Sequence, residues 1–229
     1  MKLLLIVDLQ YDFCPGGNLA VAEGDRITPI VNKLIRDGGF DLIVATRDWH
    51  PADHISFAKN HEGAELFSAV DTPYGKQMLW PEHCVQDTHG ADLRIELNTA
   101  RIDKIISKGM DPDVDSYSAF FDNAHGHQTD LLLYLQEYCQ ENSINLGEVE
   151  IAVCGLALDY CVKATAIDAA ELGFKTSIIL DATRSVHPEN DIELCRDLIA
   201  QHGIEIVESR SLNVEKVVEL KPQSRSLEI

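Results

Sequence analysis

The chain is poor in positive charge. Its 229 residues carry 19 Lys and Arg against 38 Asp and Glu, a formal net charge of −19. The field around such a protein repels phosphate backbones and anionic lipid headgroups, so neither nucleic acid nor a membrane is an expected partner. Long apolar runs are missing too. The opening run, residues 3–7, stops at Asp8, too soon for the core of a signal peptide, and nothing approaches the roughly 20 apolar residues that cross a bilayer. Internal repeats, low-complexity tracts and Gly/Ser linkers are absent as well. The six cysteines (Cys14, Cys84, Cys139, Cys154, Cys161 and Cys195) lack the short spacings that staple small secreted domains, which suits a reducing cytoplasm.

What is present reads as an ordinary globular chain, since 45% hydrophobic and 25% charged residues suffice for a packed core and argue against extensive disorder. The length fits one domain, expected over residues 1–212, with a looser tail at 213–229. The sequence leaves the monomer and the homo-oligomer both open.

Short all-apolar runs alternate with amphipathic stretches. Strands are expected at residues 3–7, 41–46, 104–107, 150–154, 175–180 and 205–207, and helices at 26–36, 129–142, 160–172 and 191–202. This alternation predicts an α/β fold, a mainly parallel sheet of about six strands with helices on both faces. Ligands of such sheets bind at the carboxyl ends of the strands. Asp8, residues 46–54, Lys108 and residues 155–161 each follow an expected strand end, so four separated stretches converge on one edge. Residues 55–101 lack periodicity but carry Gly, Pro, His and aromatic side chains, as binding loops do.

Several residues on that edge suit chemistry. Asp48, His50, Asp53 and His54 fall within seven residues, and His83 is a further imidazole. Mixed nitrogen and oxygen donors suit Zn²⁺, Fe²⁺ or Mn²⁺ better than Ca²⁺ or Mg²⁺. Cys161 opens a helical stretch after Gly155 and Ala157, where a helix N-terminus would favour the thiolate. The other cysteines read as small packed hydrophobes. Asp8 ends a buried strand, where a carboxylate must be neutral, paired or hydrogen-bonded. Lys108 stands at a strand end, followed by Gly109.

Taken in order, Val7-Asp8-Leu9-Gln10-Tyr11-Asp12-Phe13, Thr46-Arg47-Asp48-Trp49-His50, Trp80-Pro81-Glu82-His83-Cys84, Lys108-Gly109 and the run from Cys154 to Val162 resemble the nicotinamidase/pyrazinamidase family of isochorismatase-like hydrolases. The resemblance covers most of the chain, from about Lys2 to about Val207. It implies a catalytic triad of Asp8, Lys108 and Cys161 and a divalent metal, Zn²⁺ or Fe²⁺ with Mn²⁺ as a third choice, on Asp48, His50, His54 and His83. It also implies aromatic walls from Phe13, Trp80 and Tyr117, a cis peptide between Leu156 and Ala157, and an oxyanion hole from the Ala157 and Cys161 N–H groups. His61 is a competing ligand, although only His83 has the Trp-Pro-x-His-Cys setting. The implied activity is hydrolysis of nicotinamide to nicotinate through a cysteine thioester, in NAD salvage, with pyrazinamide as an analogous substrate. The alternatives are a superfamily amidase for another small carboxamide or carbamoyl compound, and a non-catalytic metal-binding protein on the same fold.

Overall fold

The computed structural model describes residues 1–216, with side chains to Leu212. The remainder of the expected tail lies outside the described residues. A six-stranded sheet runs in the order β5-β2-β1-β6-β7-β8, built from β1 (Lys2–Val7), β2 (Leu42–Asp48), β5 (Lys104–Lys108), β6 (Glu150–Leu156), β7 (Lys175–Arg184) and β8 (Glu205–Val207). Every neighbouring pair is parallel.

Two cores follow from the alternation of side chains along each strand. Leu3, Leu5 and Val7 face α2 (Asp130–Glu141), α3 (Lys163–Glu171) and α4 (Asp191–His202), meeting Leu131, Leu135, Ala166, Ala169 and Leu198. Leu4 and Ile6 point the other way, toward Val31, Leu34 and Ile35 of α1 (Thr28–Asp37). The apolar positions of α1 recur at helical spacing, Pro29 sits in its first turn, and Gly38 caps its end. At α2 the Thr129 side chain accepts from the Leu131 N–H, 3.1 Å away.

The expected strands and helices are all present, and the differences lie at their ends. Strand β7 continues to Arg184, four residues beyond the apolar run, because the polar Asp181 and Arg184 carry no strand signal in the sequence. Residues 158–162 form a π-helical turn before α3 rather than its first α-helical turn. Inside the long aperiodic segment lies a small antiparallel hairpin, β3 (Ala69–Thr72) and β4 (Gly75–Met78), which is half exposed and too short to show a period.

One glycine brings β1 and β6 together at their carboxyl ends. Gly155 has φ +115, and a Cβ there would stand 2.0 Å from the Val7 carbonyl oxygen. Only glycine lets β6 approach β1 this closely, just before the turn that carries Cys161.

Candidate active site

The strand ends set the first half of the site. Asp48 and Lys108 are register partners at the ends of β2 and β5, and Asp8 leaves β1 with φ 48. Thr46 holds Asp8 twice, its hydroxyl donating to Oδ1 at 2.6 Å and accepting from the Asp8 N–H at 3.2 Å. Gln10 fixes the end of β2 by accepting from the Asp48 N–H at 2.8 Å and donating to the Asp48 carbonyl at 2.9 Å.

The buried Lys108 ammonium is the hub. It lies 2.9 Å from Asp8 Oδ2, 2.5 Å from Asp48 Oδ1 and 2.8 Å from the Ser116 carbonyl oxygen, with the Cys161 sulfur at 3.5 Å. Burial alone would favour the neutral amine, but Asp48 and Asp8 hold the group charged, well above the ordinary lysine value. Burial raises the Asp48 carboxyl, yet Lys108 and His50 outweigh it and hold Asp48 well below the usual carboxylate range. Asp8 differs. Burial pushes it up to about 6, against the pull of Lys108 and with the help of Asp48.

Cys161 is buried at the π-helical turn, and the thiolate expected from a helix N-terminus is not what its surroundings favour. Burial drives the thiol well above its ordinary value, Lys108 pulls it down, and Asp8 and Asp48 push it up again. The resting set is therefore a thiol, a carboxylate and an ammonium, with an Asp8 oxygen within 4.8 Å of the Cys161 sulfur. The Leu156-Ala157 peptide is cis, as the resemblance implied, and Ala157 lines the same recess as Cys161.

The second half is made of imidazoles. His50, His54 and His83 are all buried, and their rings cluster, with His50 4.1 Å from His54 and 5.0 Å from His83 between centroids. Phe57 meets all three at 5.4–5.6 Å and fixes their spacing. His50 Nδ1 lies 2.7 Å from the Gly109 carbonyl oxygen and His83 Nδ1 2.8 Å from that of Pro81. A carbonyl only accepts, so both rings carry the proton on Nδ1 and leave Nε2 bare. His54 Nδ1 is held by the Ser56 hydroxyl at 2.7 Å. Nε2 of His50 and of His54 is buried without a hydrogen-bond partner.

Such orphaned nitrogens, each steadied through the other ring atom, fit a divalent metal ion. Ligand atoms of Asp48, His50 and His83 lie within 4.8 Å of one another, and so do those of His50, His54 and Asp115. Burial lowers His54 and His83 to about 4, so both are neutral near pH 7, the form that ligates. Burial also lowers His50, but the nearby Asp48 more than offsets it and raises the ring above its usual value. Gly109, at φ +62, completes the packing, since a Cβ there would stand 2.4 Å from the His50 ring. His61 is turned away, its Nε2 2.6 Å from the Ile55 carbonyl oxygen.

Phe13, Trp80 and Tyr117 line one recess together with Cys161 and His83. Trp80 donates from Nε1 to the Tyr117 hydroxyl at 3.2 Å. Sequence reasoning missed Tyr160, which packs edge-on to Trp80 at 5.1 Å, and the buried Asp115 in the recess lining. It also missed the supports Thr46, Gln10 and Phe57. Tyr160 stood in plain view one residue before Cys161, whereas Asp115 lies in a stretch without period or motif.

The chain matches known proteins over most of its length. The isochorismatase domain family matches residues 2–211. A nicotinamidase of Acinetobacter baylyi is 40% identical over 92% of this chain and 94% of its own length. The yeast nicotinamidase bound to the inhibitor nicotinaldehyde superposes with a TM-score of 0.81 at 40% identity, covering 91% of this chain and 100% of that one. A pyrazinamidase of Pyrococcus horikoshii in complex with zinc gives 0.68 at 38% identity, covering 90% and 98%. A buried cysteine, lysine and aspartate beside three inward-facing imidazoles, on a six-stranded parallel sheet shared with these proteins, makes this chain a member of the nicotinamidase/pyrazinamidase family of isochorismatase-like hydrolases.

Proposed function

We infer that the chain is a nicotinamidase, hydrolysing nicotinamide to nicotinate and ammonia in NAD salvage through a cysteine thioester. One observation carries this. A recess walled by aromatic rings is lined by the Cys161 thiol, with Lys108 and Asp8 buried behind it, and by the His83 ring, with the bare nitrogens of His50 and His54 in the cluster behind. That shape and polarity suit a flat ring with a carboxamide on one side and a ring nitrogen on another.

In the proposed reaction Asp8 takes the proton of the Cys161 thiol. A carboxyl near 6 is suited to this, because a general base works best when its pKa lies close to the working pH. The sulfur forms a bond to the carboxamide carbon, and the carbonyl electrons move onto oxygen. The N–H groups of Ala157 and Cys161 donate to that oxyanion. Lys108 stays within reach of both Asp8 and the sulfur, so the charge is balanced whichever of them holds the proton. As the carbon–oxygen double bond re-forms, the carbon–nitrogen bond breaks and Asp8 returns its proton to the departing ammonia. Water, deprotonated by Asp8, then cleaves the thioester, releasing nicotinate and regenerating the thiol.

Asp48, His50, His54 and His83 would hold the divalent ion, with Zn²⁺ and Fe²⁺ best suited to the donors and Mn²⁺ also fitting. When bound, such an ion offers a coordination position to a pyridine-type nitrogen. Phe13, Trp80 and Tyr117 hold the ring. Pyrazinamide has the same carboxamide and a ring nitrogen, so it should be a second substrate. The cytoplasm suits the six free thiols. Among the described residues no helix is long and apolar enough to cross a membrane.

The test is ammonia release from nicotinamide by metal-loaded protein, beside a panel of aliphatic amides. Turnover of nicotinamide well above that of the aliphatic compounds is expected. A preference for aliphatic amides, or no turnover with metal bound, would reject the reading.

A further inference from the structure

Asp115 has no part in the reaction proposed above. It lines the recess and is only 3% exposed, and no lysine or arginine among the described residues pairs with it. A carboxylate in such a place is costly unless something compensates its charge. Its ligand atom lies within 4.8 Å of those of His50 and His54.

The carboxylate is also held still. Oδ1 accepts from the Ser116 N–H at 2.7 Å, and Oδ2 accepts from Gln77 Nε2 at 3.0 Å. Gln77 is almost wholly buried on β4, so one function of the small hairpin is to carry this amide. The Ser116 carbonyl accepts from Lys108, so residues 115 and 116 tie the two ends of the site together.

Charge balance supplies the reason. Imidazoles that ligate an ion are neutral, so with a neutral thiol Asp8, Asp48, Lys108 and a divalent ion leave one positive charge in excess. Asp115 removes it, and a closed site that sums to zero is much cheaper to bury than one that does not.

We propose that Asp115 is the second carboxylate of the metal site, oriented by Gln77, and that its charge sets how tightly the ion is held. The proposal rests on reading the imidazole cluster as a divalent-metal site, and its test separates the two.

The measurement is the Zn²⁺ dissociation constant of chelator-stripped protein, read by competition with a chromophoric chelator, together with the melting temperature of the metal-free and zinc-loaded forms. The variant is Asp115→Asn. It preserves shape and the bond accepted from the Ser116 N–H, while Gln77, whose Nε2 also donates to the Met78 carbonyl at 2.9 Å, exchanges that bond for one accepted from the new amide if it turns. Asp115→Asn should weaken Zn²⁺ binding by ~10–100-fold, the usual cost of losing a supporting partner at a metal site. The metal-free form should melt at the same temperature or higher, since an uncompensated buried charge has gone, while the zinc-loaded form melts lower. Gln77→Met should weaken binding less, in the same direction. Unchanged affinity in Asp115→Asn, or a lower metal-free melting temperature with unchanged affinity, overturns the proposal and leaves the metal site standing. If the wild-type protein itself binds no zinc, the metal reading falls and this proposal with it.

Discussion

The two ends of the recess are built differently. Asp8, Lys108 and the turn to Cys161 continue directly from β1, β5 and β6 at the middle and edge of the sheet, where parallel pairing fixes backbone positions closely. The imidazole end rests on residues 49–101, where regular pairing is sparse and placement depends on side chains. Gln10, Asp12, Ser56 and Phe57 do there what strand pairing does at the other end. Proton transfer and attack at carbon demand tight placement, whereas holding a ring demands the right donors in a shaped wall. On the proposed reading the fold gives each task the scaffold it needs.

Changes at the strand-built end should therefore strike turnover and spare metal content. The largest effect is expected for Cys161→Ala, which should abolish ammonia release while zinc content and the circular dichroism spectrum stay as in wild type. Cys84→Ala, at a buried thiol outside the recess, should keep most activity. Residual turnover of Cys161→Ala near the wild-type rate would remove the covalent mechanism.

Next come the partners of the thiol. Asp8→Asn and Lys108→Ala should each lower kcat by at least ~10²-fold, and the double variant by much less than the product, because the residues act as one unit. Lys108→Ala should also cost about 3–5 kcal/mol of stability, since it leaves Asp8 and Asp48 buried without their cation. Denaturant unfolding and single-turnover kinetics would read the two effects separately.

A pH series sharpens the contrast. Asp8 must be ionised to accept the thiol proton, and its value is about 6, so kcat/KM should fall as pH drops below 6, about tenfold per unit. His50, which Asp48 raises above its usual value, is the first of the three imidazoles to protonate, and His54 and His83, at about 4, follow lower still. Metal affinity should therefore weaken below neutrality with His50, while kcat/KM of enzyme kept saturated with metal should fall with Asp8. A kcat/KM at saturating metal that is unchanged between pH 7 and pH 5 would contradict the role given to Asp8.

The smallest effect on chemistry is expected at the loop-built end. His54→Ala removes one ligand and should weaken metal retention by at least ~10-fold, with the preference for ring-nitrogen substrates narrowed rather than turnover abolished. Equal metal affinity in the variant and wild type would exclude His54 from the site.

The same contrast governs what the sequence discloses. Apolar runs such as Leu3 to Val7 announce β1, and a polar residue at the end of such a run, as with Asp8 and Lys108, marks the edge where ligands bind. The imidazole cluster was legible only as a motif, because no period in residues 55–82 says where His83 will lie relative to His50. Asp115 and Gln77 were not legible at all. Their roles arise from a contact between a hairpin and a loop 38 residues apart, which no local pattern encodes. The protonation state of Cys161 escaped for a related reason: helix position is visible in a sequence, but burial against Asp8 and Lys108 is not.

The central claim is that the two ends of the recess grip the two ends of one ring. It is tested most directly by kcat/KM for nicotinamide and for benzamide on metal-loaded enzyme. Benzamide keeps the carboxamide that meets Cys161 and lacks the ring nitrogen that meets the metal end. The account predicts a loss of at least ~10²-fold for benzamide, roughly 3 kcal/mol of transition-state binding. Equal values would contradict it, because the imidazole end would then contribute nothing to holding the substrate.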